Sequence, residues 1–400
     1  MTTTDTAVTD WQYPFTDIVG RVAELEQPPF KVPETVEELR YFLQAALALE
    51  HLTIPPYLTA MYTLKPGTNR EAFYAIRAVV LEEMLHMTLV ANLINAVGGK
   101  PVVAHPDFVT DYPVTLPYAK EKVPVALRHF GPEALRTFLF IERPEDVAEL
   151  PGHPTVADDD GWTSIGQFYN TIRQGLLNLA STKEKERKLF DSDRKQVGPE
   201  DFFNSGGEVF EIHDLATALK AIRVITEQGE GVAETIYNSD HQLFGEAQEP
   251  AHFFRFMEIY QERKYGPHDT PYSGPTGPAL VVSWEDAYPI PPEATVAEYP
   301  EGEVRKAAGD FNVVYARLLL HLQAAYDGEP KRIQAAVPAM LELRDLAEQL
   351  YRNPHPDEEL RDQGLHACPT YEIYGTHFGE ARSQLDGGLG GVAALLTGLS

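Results

Sequence analysis

Cysteine is almost missing from this chain: Cys368 is the single one among 400 residues. No disulfide can close within the chain, and a reducing interior suits it. Also missing are a Cys-x-x-Cys pair, a G-x-S-x-G turn, a phosphate-cradling glycine loop and a dinucleotide fingerprint. Their absence removes the usual sequence signatures of dithiol, serine-nucleophile and nucleotide chemistry. Positive charge is scarce. Lys and Arg total 33 against 60 Asp and Glu, a formal charge of −27, which repels nucleic acid and anionic membrane surfaces alike. No stretch approaches the roughly 20 continuous apolar residues of a membrane helix. The opening MTTTDTAVTDWQYPF lacks the basic start and apolar run of a signal peptide. The expectation is a cytoplasmic protein without nucleic-acid or membrane partners.

What remains is an ordinary globular composition, 43% hydrophobic and 23% charged, in a chain long enough for a large core. Its periodicity is helical, so the expected fold is all-α. Residues 1–32 read as an irregular arm and 33–265 as a helical bundle with a long Pro-rich insertion at about 100–160. A Pro/Gly-rich connection follows over 266–302, and 303–400 forms a C-terminal helical extension whose apolar tail from Gly387 packs on the body. The bundle helices are predicted over Val36–Thr63, Asn69–Ala96, Ile212–Gln228 and Gln248–Glu262. Pro55 and Pro56 predict a kink or break just beyond Glu50. A short helix is expected from Pro132 to Phe140 and a longer one from Ser164 to Ala180.

Chemistry enters through two Glu-x-x-His pairs, Glu83/His86 and Glu249/His252, each preceded by a single Glu on an earlier helix, Glu50 and Glu227. Residues three apart share a helix face, so each pair can reach one inward ion. Four carboxylates and two imidazoles are the side-chain set that holds two metal ions inside a four-helix bundle. Bland readings stand beside each residue. Glu50 replaces a hydrophobe on an apolar face and demands a partner, which is a metal, a buried Arg or a water-lined cleft. Glu83 lies on the stripe Ile76, Val79, His86, Val90; Glu82 has the four-residue spacing to His86 but points elsewhere. Glu227 has only Val224 and Ala221 before it on its face, with Glu230 and Glu234 close behind. Glu249 precedes Pro250, so a first-turn carboxylate favoured by the helix dipole is its alternative reading. His51 reads as a supporting or surface residue; His213 and His241 are alternative ligands that more often prove to be surface or loop histidines, and Cys368 is a candidate nucleophile that more often proves to be a small core residue.

The stretches LEHLTIPPYLTAMYTL around Glu50, VVLEEMLHMTLVANLINAVGGKP around His86, SIGQFYNTIRQGL from Ser164, ITEQGEG from Ile225, EPAHFFRFMEI from Glu249 and NVVYARLLLHL…CPTYEIY resemble, in order, a known family. This is the ferritin-like domain family that includes the imino-acid dimer synthases of violacein and indolocarbazole biosynthesis. The resemblance implies a ferritin-like four-helix bundle with the long insertion between its two helix pairs. It also implies a dinuclear site, with iron as the metal and Glu50, Glu83, His86, Glu227, Glu249 and His252 as ligands. It raises Glu227 above its neighbours, because ITEQGEG looks like the family's third-helix motif.

A manganese–iron pair satisfies the same donors. The function expected is oxidation of a small organic substrate by O2, supported by an electron donor, in specialised metabolism. The pocket is placed near the metals, walled by Tyr57, Phe253 and part of the insertion. One rival is coupling of imino acids made by a partner amino-acid oxidase; another is a non-catalytic iron-binding protein.

Overall fold

The computed structural model describes residues 30–109, 111–144, 161–202 and 207–385. The arm over 1–32 falls almost wholly outside the described residues, and the tail from Gly387 does so entirely.

Helix α1 (Val36–Thr63) begins in a reciprocal cap: the Thr35 hydroxyl accepts from the Glu38 amide, and the Glu38 carboxylate accepts from the Thr35 amide. It runs unbroken through Pro55 and Pro56. A proline leaves the carbonyl one turn earlier without its helical donor. Here the Leu52 carbonyl, four residues before Pro56, accepts from the Tyr112 hydroxyl at 2.7 Å. A partner distant in sequence supplies what the helix loses. Helix α2 (Arg70–Ala96) packs along α1. Its end is fixed by Gly98 at φ +68°, the left-handed turn that glycine adopts without strain. Arg40 of α1 binds the Val97 carbonyl there twice, at 3.0 and 2.6 Å.

The other two walls of the bundle are each built from two helices. Helices α3 (Pro132–Ile141) and α4 (Ile165–Leu179) both pack on α1 and run opposite to it, one after the other. The order is read from contacts: Phe130 on Thr63, Phe138 on Tyr57, Tyr169 on Glu50, Phe168 on Phe42. The short α5 (Lys183–Leu189) follows. Helix α6 (Leu215–Gly229) and, beyond the single turn α7 (Asp240–Leu243), helix α8 (His252–Tyr260) form the fourth wall against α2. Helices α4 and α6 pack on each other, as do α3 and α8. Both composite walls are interrupted beside Glu50 and His86, which brings the end of α3 and the start of α8 into the bundle interior.

Of the stretch expected as an insertion, α3 therefore belongs to a bundle wall, while β1 (Val114–Thr115) and β2 (Pro124–Val125) form a small antiparallel pair outside it. The 266–302 connection wraps the α1–α2 turn through Lys65 N to Asp286 O (3.0 Å) and Tyr288 N to Thr63 O (2.8 Å). A second hairpin, α9 (Glu303–Tyr326) and α10 (Ile333–Tyr351), lies on the outer side of the first, α9 against α2 and α10 against α1; the short α11 (Glu358–Asp362) follows it. One continuous core runs through both parts, from Leu43 and Val79 through Phe168, Ile222 and Phe256 to Leu319 and Ala339. No helix among the described residues is long and apolar enough to cross a membrane.

Candidate metal centre

Glu50 sits at mid-length of α1, and Glu83 and His86 lie one turn apart on α2, all three buried. Glu142 caps the C-terminus of α3, and His252 opens α8 with its side chain fully enclosed. Two overlapping groups result, Glu50/Glu83/His86 and Glu83/Glu142/His252, in each of which the donor atoms lie within 4.8 Å of one another. Glu83 belongs to both. The His86 Nδ1 is 3.2 Å from Glu50 Oε2 and 3.8 Å from Glu83 Oε2. The His252 Nδ1 is 3.0 Å from Glu83 Oε1 and 3.4 Å from Glu142 Oε2. The two imidazoles face each other with ring centres 5.6 Å apart.

The opposite nitrogen of each ring is held by an acceptor. His86 Nε2 donates to Gln228 Oε1 at 2.7 Å. The Gln228 amide in turn donates to both oxygens of Asp240, at 2.9 and 3.0 Å, which fixes its orientation. His252 Nε2 donates to Glu82 Oε2 at 2.6 Å, and Arg255 neutralises Glu82 from the far side at 3.0 Å. Both rings therefore carry a proton on Nε2 and turn Nδ1 toward the carboxylates, the arrangement in which an outer partner orients a metal-binding imidazole. Tyr57 donates to Glu142 Oε1 at 2.5 Å, and Tyr169 makes a short hydrogen bond to Glu50.

Burial and the charge of Glu83 push Glu50 up to about 7. Burial opposes charge on His86, but Glu50 and Glu83 outweigh it and hold the imidazole at about 10. For His252 too, Glu142, Glu82 and Glu83 overcome burial and raise it well above the usual range. Burial works against ionised Glu83, yet the imidazoles of His252 and His86 beside it hold its carboxyl well below the ordinary value. Without metal, protons on the imidazoles would balance the carboxylates, the role that divalent cations would take over on binding.

The donor set fits such ions. His252 Nδ1 is completely buried and, although carboxylate oxygens surround it, makes no aligned hydrogen bond. A buried polar atom without a hydrogen bond, among carboxylates, is a place for a cation.

Four of the six expected ligands, Glu50, Glu83, His86 and His252, thus converge; Glu227 and Glu249 do not. Glu227 lies off the inward face of α6 and pairs with Arg223 at 2.8 Å. The inward positions of that helix are Ala218, Ala221, Ile225 and Gln228. The ITEQGEG motif meets the site through Gln228, and through Gly229, where a side-chain carbon would come within 3.4 Å of Glu142. Glu249 has a side chain 55% exposed and pairs with Arg255 at 3.1 Å. Pro250 is the cause. A residue before proline is pushed out of the helical region, so α8 begins only at His252 and the three-residue spacing is not read on a helix. Glu82, expected to point elsewhere, is buried against His252, because α8 covers the side of α2 that an isolated helix leaves open.

Glu142 was missed. It ends the apolar face Leu135, Phe138, Leu139 at helical spacing, a signal hidden by closing the predicted helix at Phe140. Of the remaining candidates, His51 is buried, with its imidazole pushed down to about 3, and meets Tyr315 rather than the cluster. His213 and His241 are exposed.

Fold and site together define a class. A model of the ferritin-like family matches residues 43–261, more than half of the chain, and the chain belongs to that family. Among individual proteins, it is related to dichlorochromopyrrolate synthase of Lentzea aerocolonigenes, with 26% identity over 330 aligned residues that cover 75% of this chain. The match takes in 29% of that protein's length. The crystal structure of a ferritin like protein from Caulobacter vibrioides shares the fold, with a TM-score of 0.52 and 23% identity across 86% of this chain and 100% of that one.

Proposed function

We propose that this chain is an O2-dependent dinuclear iron oxidoreductase acting on a small organic substrate. Glu50, Glu83 and His86 would hold one ion and Glu83, Glu142 and His252 the other, Glu83 being common to both groups. A bound iron pair supplies O2 activation and the electrons that reduce it. The chain's own residues do the rest. Gln228 and Glu82 keep the imidazole protons on Nε2. Tyr57 and Tyr169 hold the outer oxygens of Glu142 and Glu50. Tyr57, Phe138 and Phe256 pack as an aromatic shell that excludes water beside Glu142. Phe253, expected to wall a substrate pocket, is enclosed in the core. A cavity of about 250 Å³ opens instead where the composite walls are interrupted, beside Pro144, Gly166, Thr226 and Phe254, and is the proposed approach for substrate. The observation carrying this reading is the convergence of two buried Nδ1 atoms on Glu83, one of them without a hydrogen bond.

The test is metal content after anaerobic Fe(II) loading, followed by optical spectra on mixing with O2. About two irons per chain and a transient visible absorption support the proposal. No tightly held metal overturns it, and iron that ignores O2 leaves a non-catalytic iron-binding protein. Kinship with dichlorochromopyrrolate synthase favours a second reading, coupling of imino acids released by a partner amino-acid oxidase. Product analysis of the chain incubated with such an oxidase and its amino acid separates the two, since only the second yields a coupled dimer.

A further inference from the structure

The two helical hairpins do not close on each other. Between α1/α2 and α9/α10 lies a cavity of about 320 Å³, at the lower end of the range typical of small-molecule sites (~300–1,000 Å³). It is on the other side of the α1/α2 pair from the carboxylate cluster. On α1 it is lined by Ile54, Pro55 and Leu58, and on α2 by Val80, Met84 and Met87. The lining is apolar and adaptable: Met61, Met84, Met87 and Met340 place four of the chain's six methionines around this one space. Methionine fills irregular gaps and conforms to varied apolar ligands. The wall turns polar at the exposed Arg77 and Arg344, at the buried Asp201 and Thr88, and at one buried tyrosine–histidine pair. The Tyr315 hydroxyl and His51 Nε2 lie 2.5 Å apart, buried, and Tyr371 packs edge-on against Tyr315 with ring centres 5.2 Å apart. Tyr371 holds a left-handed backbone, φ +55°, which is strained for a bulky residue and persists only where its surroundings demand it. Leu341, 57% exposed, stands at the rim.

We propose that this cavity binds an uncharged, mainly apolar small molecule, ring-bearing and with one hydroxyl-type group that meets the Tyr315–His51 pair. Size selects the class, since the space is too small for a protein helix and too large to be bridged by one water. Chemistry selects the polarity. A void lined by Met, Leu and Ile gains by being filled with apolar matter, and the buried tyrosine–histidine pair offers hydrogen bonding without a dedicated ion partner. This second site stands independently of the metal reading, because none of the proposed ligands lines it.

The experiment titrates the full chain with N-phenyl-1-naphthylamine, an uncharged apolar fluorophore, and then displaces it with 1-naphthol or naphthalene. Saturable emission at one site per chain is expected, unchanged by removing metal with a chelator. Leu322→Trp and Val337→Trp fill the cavity from α9 and α10, and each should weaken binding about tenfold or more. Circular dichroism of both variants shows that they remain folded. Tyr315→Phe should abolish any preference for 1-naphthol over naphthalene. Emission without saturation, equal binding in both tryptophan variants, or binding lost with the metal each overturns the proposal. So does sedimentation showing that self-association expels the probe, which would make a second copy of the chain the occupant.

Discussion

Replacing Glu142 is the sharpest test of where the ions sit, because no Glu-x-x-His pattern points to it. In the structure it completes the group formed with Glu83 and His252, and its other oxygen accepts from Tyr57 at 2.5 Å. Loss of a residue that merely orients a ligand costs metal affinity ~10–100-fold, so removal of a donor that faces the ion should cost at least ~100-fold. At free metal ~100 times the wild-type Kd, a 100-fold loss leaves that ion at most about half occupied. Glu142→Ala should then hold no more than about 1.5 metals per chain against about two in wild type, by elemental analysis after desalting. Stability needs separate control. Truncation leaves the buried Tyr57 hydroxyl without its acceptor, at ~1–3 kcal/mol, whereas Glu142→Gln keeps an acceptor in place. The glutamine variant should therefore lose metal with little loss of metal-free stability in urea unfolding. Glu227→Ala and Glu249→Ala should retain full metal. Two metals in Glu142→Ala, with one missing from Glu227→Ala, would refute the placement and restore the reading from spacing alone.

Asp240→Asn should disturb the centre from a distance. It removes the carboxylate that orients Gln228, frees that amide to rotate, and weakens the hold on His86 Nε2. Metal affinity should fall ~10–100-fold in a competition titration, and unchanged affinity would discard the relay. Metal-free stability should fall as pH rises above neutrality. Glu50 at about 7 and His86 at about 10, against ordinary values of 4.5 and 6.5, hold more protons in the folded chain than in the unfolded one, whereas His51, pushed down by burial to about 3, holds fewer and acts oppositely below 6.5. Glu50 contributes to the decline over 4.5–7 and His86 over 6.5–10. Glu83, depressed, acts only below 4.5. The Tm of chelator-treated protein should drop from pH 7 to pH 9, with a shallower drop once metal is bound; a rising Tm contradicts the charge balance described. Cys368, buried beside Tyr299 with its thiol pushed up to about 12, should not react with an aromatic disulfide reagent until the chain unfolds. Rapid labelling of the folded protein would mean that this packing is wrong.

The sequence by itself determined most of the helices and pointed to four residues, Glu50, Glu83, His86 and His252, that the fold brings into one buried cluster. Periodicity over Leu39, Leu43, Ala46 and Glu50, and over Ile76, Val79, Glu83 and His86, is local, and a helix long enough to show it announces which face is buried. The family followed from ordered stretches carrying those faces. Tertiary structure decided what depends on partners distant in the chain. Pro55 and Pro56 read as a break until Tyr112 reaches the freed carbonyl. Glu249 sits at the right spacing from His252, yet spacing has meaning only on a formed helix, and Pro250 delays that helix. Glu82 is surface on an isolated α2 and interior once α8 covers it. Glu142 closes a helix of three turns, where the apolar stripe is short and the end is set by packing against Tyr57. The cavity between the hairpins has no local signature at all, because it is a mismatch between two apolar surfaces, each complete in its own sequence and brought together only by the fold.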